Sequence, residues 1–450
     1  MGRLFGTDGV RGVANIDLTT ELAMNIGKAA AMVIIGKDVQ HPTVLIGRDT
    51  RISGNMIEGA LIAGLCSVGV NIKLLGQIPT PAVAYLISKY NADAGIMISA
   101  SHNPFEFNGI KIFNEDGFKL PDDLEEEIEA IIIDKVKAYD KPANNIVGTV
   151  SDISETALKD YVNFVISTTD NRFDGMKIAL DCANGSASHT ARLIYESLGA
   201  TCHILSDKPD GKNINDNCGS TNIDNLRKYV IENNLDCGLA FDGDSDRCLA
   251  VDEKGNIVDG DFILAICAKD MLSRGKLKNN TVVGTIMSNM GFSKFCKNNN
   301  INFISTKVGD RYVLEKMLLD GYNIGGEQSG HIIYLDNITT GDGQLTGVQL
   351  LSVIARSNKK LSELASIMER YPQVLINVKV SHEGKTRFYI DKEIKTEIKR
   401  VAEILGDDGR IIVRTSGTEP LIRVMIEGKD TEFITSLAQQ TADFIKNKLS

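Results

Sequence analysis

One arrangement of apolar runs and turn residues occurs three times along this chain, although the residues themselves do not repeat, and it leaves few folds open. The first copy predicts strands over 43–46, 71–75 and 95–98, the second over 177–180, 201–205 and 237–241, and the third over 281–285, 302–305 and 322–325. Helical periodicity fills gaps between them, as at 56–68, 189–198 and 292–298. Strand, helix, strand, helix, strand is the signature of parallel sheets joined by crossover helices. The tail has apolar runs at 374–380 and 410–413, another ending at 426, and a final helical pattern. The expected fold class is therefore α/β: three similar mixed α/β domains over 1–152, 153–256 and 257–370, then a smaller α+β C-terminal domain over 371–450.

Length agrees, because 450 residues make about three or four domains and 43% apolar content can furnish their cores. Glycine is abundant at 41, proline scarce at 9 and tryptophan absent, which suits α/β domains with glycine-rich functional loops better than an all-β sandwich. Lys and Arg total 49 against 59 Asp and Glu, a net charge of -10 that argues against a nucleic-acid partner. Any bound phosphate must then be met by local cations. No apolar run approaches the roughly 20 residues of a membrane span. The N-terminus lacks an export signal, and Gly6 stands where a myristoylation signal needs Ser or Thr. Eight scattered cysteines without a Cys-x-x-Cys read as reduced core thiols, so a cytoplasmic location with no membrane partner is expected.

Ligands of open α/β sheets gather beyond the carboxyl ends of strands. There the three copies carry Ser99-Ala-Ser-His-Asn-Pro104, Asp242-Gly-Asp-Ser-Asp-Arg247 and Gly326-Glu-Gln-Ser-Gly-His331, the most polar loops of the chain. Equivalent positions in three domains suggest one shared cleft. Asp242, Asp244 and Asp246 stand two residues apart with a glycine for the turn, a spacing that wraps oxygen ligands round one hard cation, with magnesium the natural guest. The glycine is in the wrong place for an EF-hand, and a solvated acidic turn is the plainer alternative.

His102 beside Ser101 invites a hydrolase reading, but neighbours on an extended segment point to opposite sides and the Gly-x-Ser-x-Gly elbow is missing. A serine facing a metal and several cations is better suited to a phosphoryl group, whose charge of roughly -1.5 to -2 needs neutralising. Lys111, just past Gly109, and Arg11, in the glycine-flanked loop 6–12, are candidate neutralisers. Arg414-Thr-Ser-Gly-Thr-Glu-Pro420, with Arg423 beyond it, offers a bidentate guanidinium and the hydroxyls and N–H groups of Ser416, Gly417 and Thr418, a set fitted to phosphate. The 326–331 loop supplies a carboxylate, an amide and a hydroxyl between glycines, a set fitted to hydroxyl-bearing ligands and equally to a polar hairpin.

Taken in order, Gly6-Thr-Asp-Gly-Val-Arg-Gly and these four loops resemble the α-D-phosphohexomutase superfamily along the whole chain. The resemblance implies four domains round a central cleft and a resting enzyme phosphorylated on Ser101. It further implies one Mg²⁺ held by Asp242, Asp244 and Asp246 with a phosphoserine oxygen on Ser101. Arg11, Lys111 and Arg247 would neutralise the moving group, and His102 or Lys111 would serve as base. Glu327, Ser329 and His331 would meet the sugar, and Arg414, Ser416, Gly417, Thr418 and Arg423 its stationary phosphate. Glu-Gln-Ser-Gly-His, Gly309-Asp-Arg311 and Thr339-Thr-Gly-Asp-Gly343 point within the superfamily to the branch that isomerises glucosamine 6-phosphate and glucosamine 1-phosphate. That branch supplies amino-sugar nucleotide and cell-wall precursor synthesis. A trace of glucosamine 1,6-bisphosphate would act as activator, and a homodimer is allowed. The alternatives are a phosphomannomutase or phosphoglucomutase, or a phosphosugar-binding protein without turnover.

Overall fold

The computed structural model describes residues 3–6, 8–34, 41–135, 147–416 and 420–449. It falls into two compact units, Met1–Met287 with Asn300–Ile367, and Ser288–Asn299 with Met368–Ser450.

The first unit contains three sheets, and each realises the repeated pattern. Strands Thr43–Arg48, Asn71–Gln77 and Ala94–Ile98 are parallel, as are Lys177–Asp181, Thr201–Leu205 and Cys237–Phe241, and Thr281–Thr285, Asn302–Thr306 and Ile324–Gly326. What the apolar pattern does not reveal is a fourth strand in each copy. Phe107–Phe113, Cys248–Asp252 and Ile332–Tyr334 each return antiparallel to the third strand. In all three sheets the order is then the same: returning strand, third, first, second. Each polar loop is thus the bend of a β-turnback, tied at both ends by ladder hydrogen bonds, and is more rigid than a simple strand-to-helix connection. The first sheet is extended by Phe5–Gly6 and Gly9–Val13 on one edge and Val150–Asp152 on the other.

Helices Thr20–Ile34 and Gly54–Cys66 pack tightly over the first sheet. A Cβ at Gly64 would lie 2.3 Å from the Met24 carbonyl oxygen, so only glycine permits this approach. Ile26, Leu61, Leu65, Val44, Ile46, Ile72 and Ile96 form the dry layer beneath. Between domains the packing is polar as well as apolar. Tyr161, on helix Ser154–Ser167, donates to both carboxylate oxygens of Asp342 at 3.1 and 3.0 Å, and Asp342 caps helix Gly343–Ser357 by accepting from Leu345 N.

In the second unit Gln373–Lys379, Leu421–Gly428 and Gly409–Thr415 form an antiparallel sheet with the longest strand central. Helices Lys392–Leu405 and Thr431–Leu449 cover it through Val401, Leu405, Ile434, Leu437 and Ala438. Helix Met290–Asn298, predicted within the third repeat, clusters with this unit: Asn289 bonds Tyr371 through both backbone groups and donates to Glu427. Among the described residues no helix is long and apolar enough to cross a membrane, and all eight cysteines are free.

Candidate active site

The bends of the first two sheets meet at Ser101 and Asp242. Ser101 is buried, and its Oγ donates to Asp242 Oδ2 at 2.6 Å. Its φ of 51° lies in the left-handed region, so it is not on an extended segment, and its Oγ is 3.4 Å from His102 Nδ1. The expectation that the two side chains point apart is therefore overturned. Contact between the loops is close enough that a Cβ on Gly243 would lie 2.7 Å from the Ser101 carbonyl oxygen.

The protein meets both oxygens of Asp242, Oδ2 from Ser101 Oγ and Oδ1 from Arg247 N at 3.2 Å, and one oxygen each of Asp244 and Asp246. Asp244 Oδ2 accepts from Thr80 Oγ1 at 2.6 Å and from Lys111 Nζ at 2.8 Å. Asp246 Oδ2 faces Lys111 Nζ at 3.5 Å and His331 Nδ1 at 3.6 Å. Asp244 Oδ1 and Asp246 Oδ1 are buried with no hydrogen-bond partner, an arrangement that costs free energy unless a cation meets them. One ligand oxygen from each of Asp242, Asp244 and Asp246 lies within 4.8 Å of the others. Three hard oxygen donors, two of them otherwise unsatisfied, fit a divalent cation. Without one, burial and then repulsion from Asp246 and Asp244 push the Asp242 carboxyl well above the usual range.

The cations arrive from the first sheet. Lys111 is wholly buried on strand Phe107–Phe113, 2.8 Å from Asp244 and 3.0 Å from Asp8. Burial alone would lower its pKa, but the charges of Asp244, Asp8 and Asp246 prevail and hold it well above normal. His102 reaches solvent at its edge, yet burial of the rest of the ring, with the charges of Arg247 and Arg11, brings it down to about 4, so it is neutral near pH 7. Arg11 lies on strand Gly9–Val13, a correction to the loop expected, because Phe5–Gly6 and Gly9–Val13 pair as antiparallel strands. From there it pairs with Asp8 at 2.6 Å and Asn103 at 3.2 Å.

The third bend docks on the metal loop by backbone: Arg247 bridges His331, and Cys248 N donates to Gly330 O. Glu327 accepts from Gly309 N at 3.1 Å, and burial pushes its carboxyl up. Ser329 Oγ has no hydrogen-bond partner. His331 is buried beneath the loop, accepting from Gly341 N at Nε2 and facing Asp246 and Asp310, which makes it a brace between loops. In the second unit, Arg414 and Arg423 are directly opposed across two strands, and burial with the Arg423 charge lowers the Arg414 pKa. Ser416 is buried, and Lys385 Nζ donates to its carbonyl oxygen at 2.7 Å. Gly417 and Thr418 lie outside the described residues.

Several residues of the site escape the sequence reading. Asp49, Thr50 and Arg51 follow the first strand of the first repeat rather than the third, and Thr80 begins helix Thr80–Tyr90 after the second. The rule that points past strand carboxyl ends covers all of them. Asp8, Lys119 and Asp310 form a charged chain beside the site, with Lys119 Nζ 2.6 Å from Asp310 and paired also with Asp8. Nothing in their spacing links them.

Four family models described as phosphoglucomutase/phosphomannomutase match the chain in order: alpha/beta/alpha domain I over 2–139, domain II over 159–255, domain III over 259–371 and the C-terminal domain over 375–444. The chain is 54% identical over 449 residues to a phosphoglucosamine mutase of Acetivibrio thermocellus, and 53% over 449 residues to one of Clostridium botulinum, with 100% of each chain covered. Among solved structures, a phosphoglucomutase/phosphomannomutase family protein from Burkholderia thailandensis superposes with a TM-score of 0.82 at 22% identity, covering 99% of this chain and 98% of that one. An N-acetylphosphoglucosamine mutase of Aspergillus fumigatus, solved with GlcNAc-6P and magnesium, gives 0.72 at 17% identity over 99% and 96%.

Proposed function

The chain belongs to the phosphoglucomutase/phosphomannomutase family, and from that we propose that it interconverts glucosamine 6-phosphate and glucosamine 1-phosphate through a phosphoserine at position 101 and a 1,6-bisphosphate intermediate. It is an isomerase, as its full-length relatives at 54% identity are. The observation that carries the residue assignment is Ser101 Oγ at 2.6 Å from Asp242, beside two aspartate oxygens with no partner.

Asp242, Asp244 and Asp246 would hold the metal ion of this family, which we assign as Mg²⁺, with a phosphoryl oxygen on Ser101 as a further ligand. Bound there, it neutralises charge on the equatorial oxygens of the moving group. Lys111 supplies a second fixed positive charge from the opposite side of Asp244, and Arg11 and Arg247 add to it from the rim. In the first half-reaction the Ser101 Oγ–P bond breaks as a bond forms from the C1 hydroxyl oxygen of glucosamine 6-phosphate. The hydroxyl proton leaves to a base and ends on Ser101 Oγ, so atoms and charge balance. Of the two candidates we assign His102, whose Nδ1 faces Ser101 Oγ at 3.4 Å and whose ring is kept neutral near pH 7 by burial. The bisphosphate then turns end over end, and its 6-phosphoryl group returns to Ser101. Glu327 and Ser329 bind sugar hydroxyls, while Arg414, Ser416, Gly417, Thr418 and Arg423 grip the phosphate not being transferred. A trace of glucosamine 1,6-bisphosphate serves as activator by phosphorylating Ser101.

A ³¹P NMR time course with Mg²⁺ and a trace of sugar bisphosphate tests this, offering glucosamine 6-phosphate, glucose 6-phosphate and mannose 6-phosphate separately. Fastest conversion of the amino sugar, abolished in Ser101→Ala, is the expected result. A Ser101→Ala protein that still turns over would remove the phosphoserine from the mechanism, and faster conversion of a neutral sugar would reassign the substrate.

A further inference from the structure

A left-handed serine is held against its own backbone preference, so something outside the residue must hold it. The bond from Ser101 Oγ to Asp242 cannot do this throughout a reaction in which that oxygen carries a phosphoryl group. The backbone of the loop is gripped elsewhere. The carbonyl oxygens of Ser101 and Asn103 each accept from the same two side chains: Arg51 Nη2, at 2.8 Å from both, and Asn215 Nδ2, at 2.9 and 3.1 Å.

Arg51 is 1% exposed, and both of its terminal nitrogens donate to carbonyls of this loop. Its Nη1 donates to Phe107 O at 3.0 Å and to Pro104 O, and its Nε to Asp49 Oδ2 at 2.9 Å. Asp49 Oδ2 also accepts from Ser99 Oγ at 2.6 Å, and Ser99 Oγ accepts from Ser101 N at 2.9 Å, which closes a ring round the serine. With its donors engaged, Arg51 is not available to hold a substrate phosphate. Asn215 comes from the second domain, the one that carries the aspartate triplet, and its own φ is 58°. It therefore ties the serine loop of one domain to the domain that carries the aspartate triplet, where its own N–H donates to Ala183 O at 2.9 Å.

We propose that Arg51 and Asn215 are positioning residues for phosphoryl transfer, clamping the carbonyls of Ser101 and Asn103 so that Ser101 Oγ keeps one direction while its phosphoryl group leaves and returns. This rests on the phosphoserine mechanism above. In-line transfer is sensitive to misplacement on the ångström scale, so loosening the clamp lowers kcat while substrate binding, which involves other residues, is kept.

The test compares full-length wild type with Asn215→Ala, Asn215→Asp, Arg51→Lys and Ser101→Ala, each with Mg²⁺ and a trace of glucosamine 1,6-bisphosphate. Asn215→Ala is expected to keep its melting temperature and KM but to lose about 100-fold in kcat. Its phosphoserine ³¹P resonance should shift or broaden, because the group is no longer held in one orientation. Asn215→Asp, which turns a donor into an acceptor facing two carbonyls, should be worse, and Arg51→Lys should fall in the same direction. A purely structural role would lower the melting temperature and leave the kcat of folded enzyme intact. Wild-type kcat in Asn215→Ala and Asn215→Asp, with Ser101→Ala inactive, would overturn the clamp alone; those two variants decide even if Arg51→Lys does not fold. Turnover by Ser101→Ala would instead overturn the mechanism on which the clamp rests.

Discussion

Asp242, Asp244, Asp246 and Asp8 crowd one corner, and Lys111 is enclosed with them at 1% exposure. Two consequences follow from the price of burying charge. Removing Lys111 leaves carboxylates without a counter-charge, which at buried sites costs about 3–5 kcal/mol. A divalent cation at the free Oδ1 atoms would supply the same kind of charge to the same carboxylates. Lys111→Met should therefore destabilise the chelator-treated protein strongly and the Mg²⁺-loaded protein much less, read from urea midpoints in the two conditions. Equal losses in both would mean that lysine and metal do not share this role. The same corner shows what residue-level reading can reach. Three aspartates at spacing two announce a cation site by themselves, whereas the partnership of Lys111 with Asp244, 133 positions away, cannot be read from spacing.

The helix Gly343–Ser357 shows how an element is secured at the boundary between domains. Its cap, Asp342, is buried, and desolvation pushes its carboxyl up to about 7 despite the bonds from Leu345 N and Tyr161. An unfolded Asp titrates near ~3.9. Between those values the folded state binds the extra proton, so this group's contribution is fully present below the unfolded value and is lost as pH rises toward 7. Asp342→Asn keeps the capping oxygen and cannot ionise. Its urea stability relative to wild type should improve between pH 4 and pH 8 by about 2–4 kcal/mol, and a pH-independent difference would show that the carboxyl ionises without cost. At this scale the sequence is informative about what exists and poor about where chains turn back. The three parallel strands of each copy are apolar runs of ordinary length. The returning strands are short, as at Ile332–Tyr334, or carry the site's polar residues, as Lys111 does in Phe107–Phe113, and so read as loop.

Over the whole molecule the work divides. The unit built on three sheets carries the serine, the aspartates and the 326–331 loop, while the C-terminal unit carries Arg414 and Arg423 side by side on neighbouring strands. If those arginines grip the stationary phosphate, Arg414→Ala and Arg423→Ala should each raise KM about 10–100-fold, the worth of a charge-assisted hydrogen bond. Affinity for Mg²⁺, measured by titration calorimetry, should not move; a change in metal affinity with KM constant would contradict that division. The repeat, the domain count, the family and the chemically dense loops were all legible in the chain, because periodicity, glycine placement and carboxylate spacing are local properties. The tertiary structure alone decided which distant residues share a charge, that Ser101 is left-handed and close to His102, that Arg11 rides a strand, and that Arg51 and Asn215 hold one pair of carbonyls. Those facts depend on how separate sheets face each other, and packing geometry between elements leaves no periodic trace in the sequence.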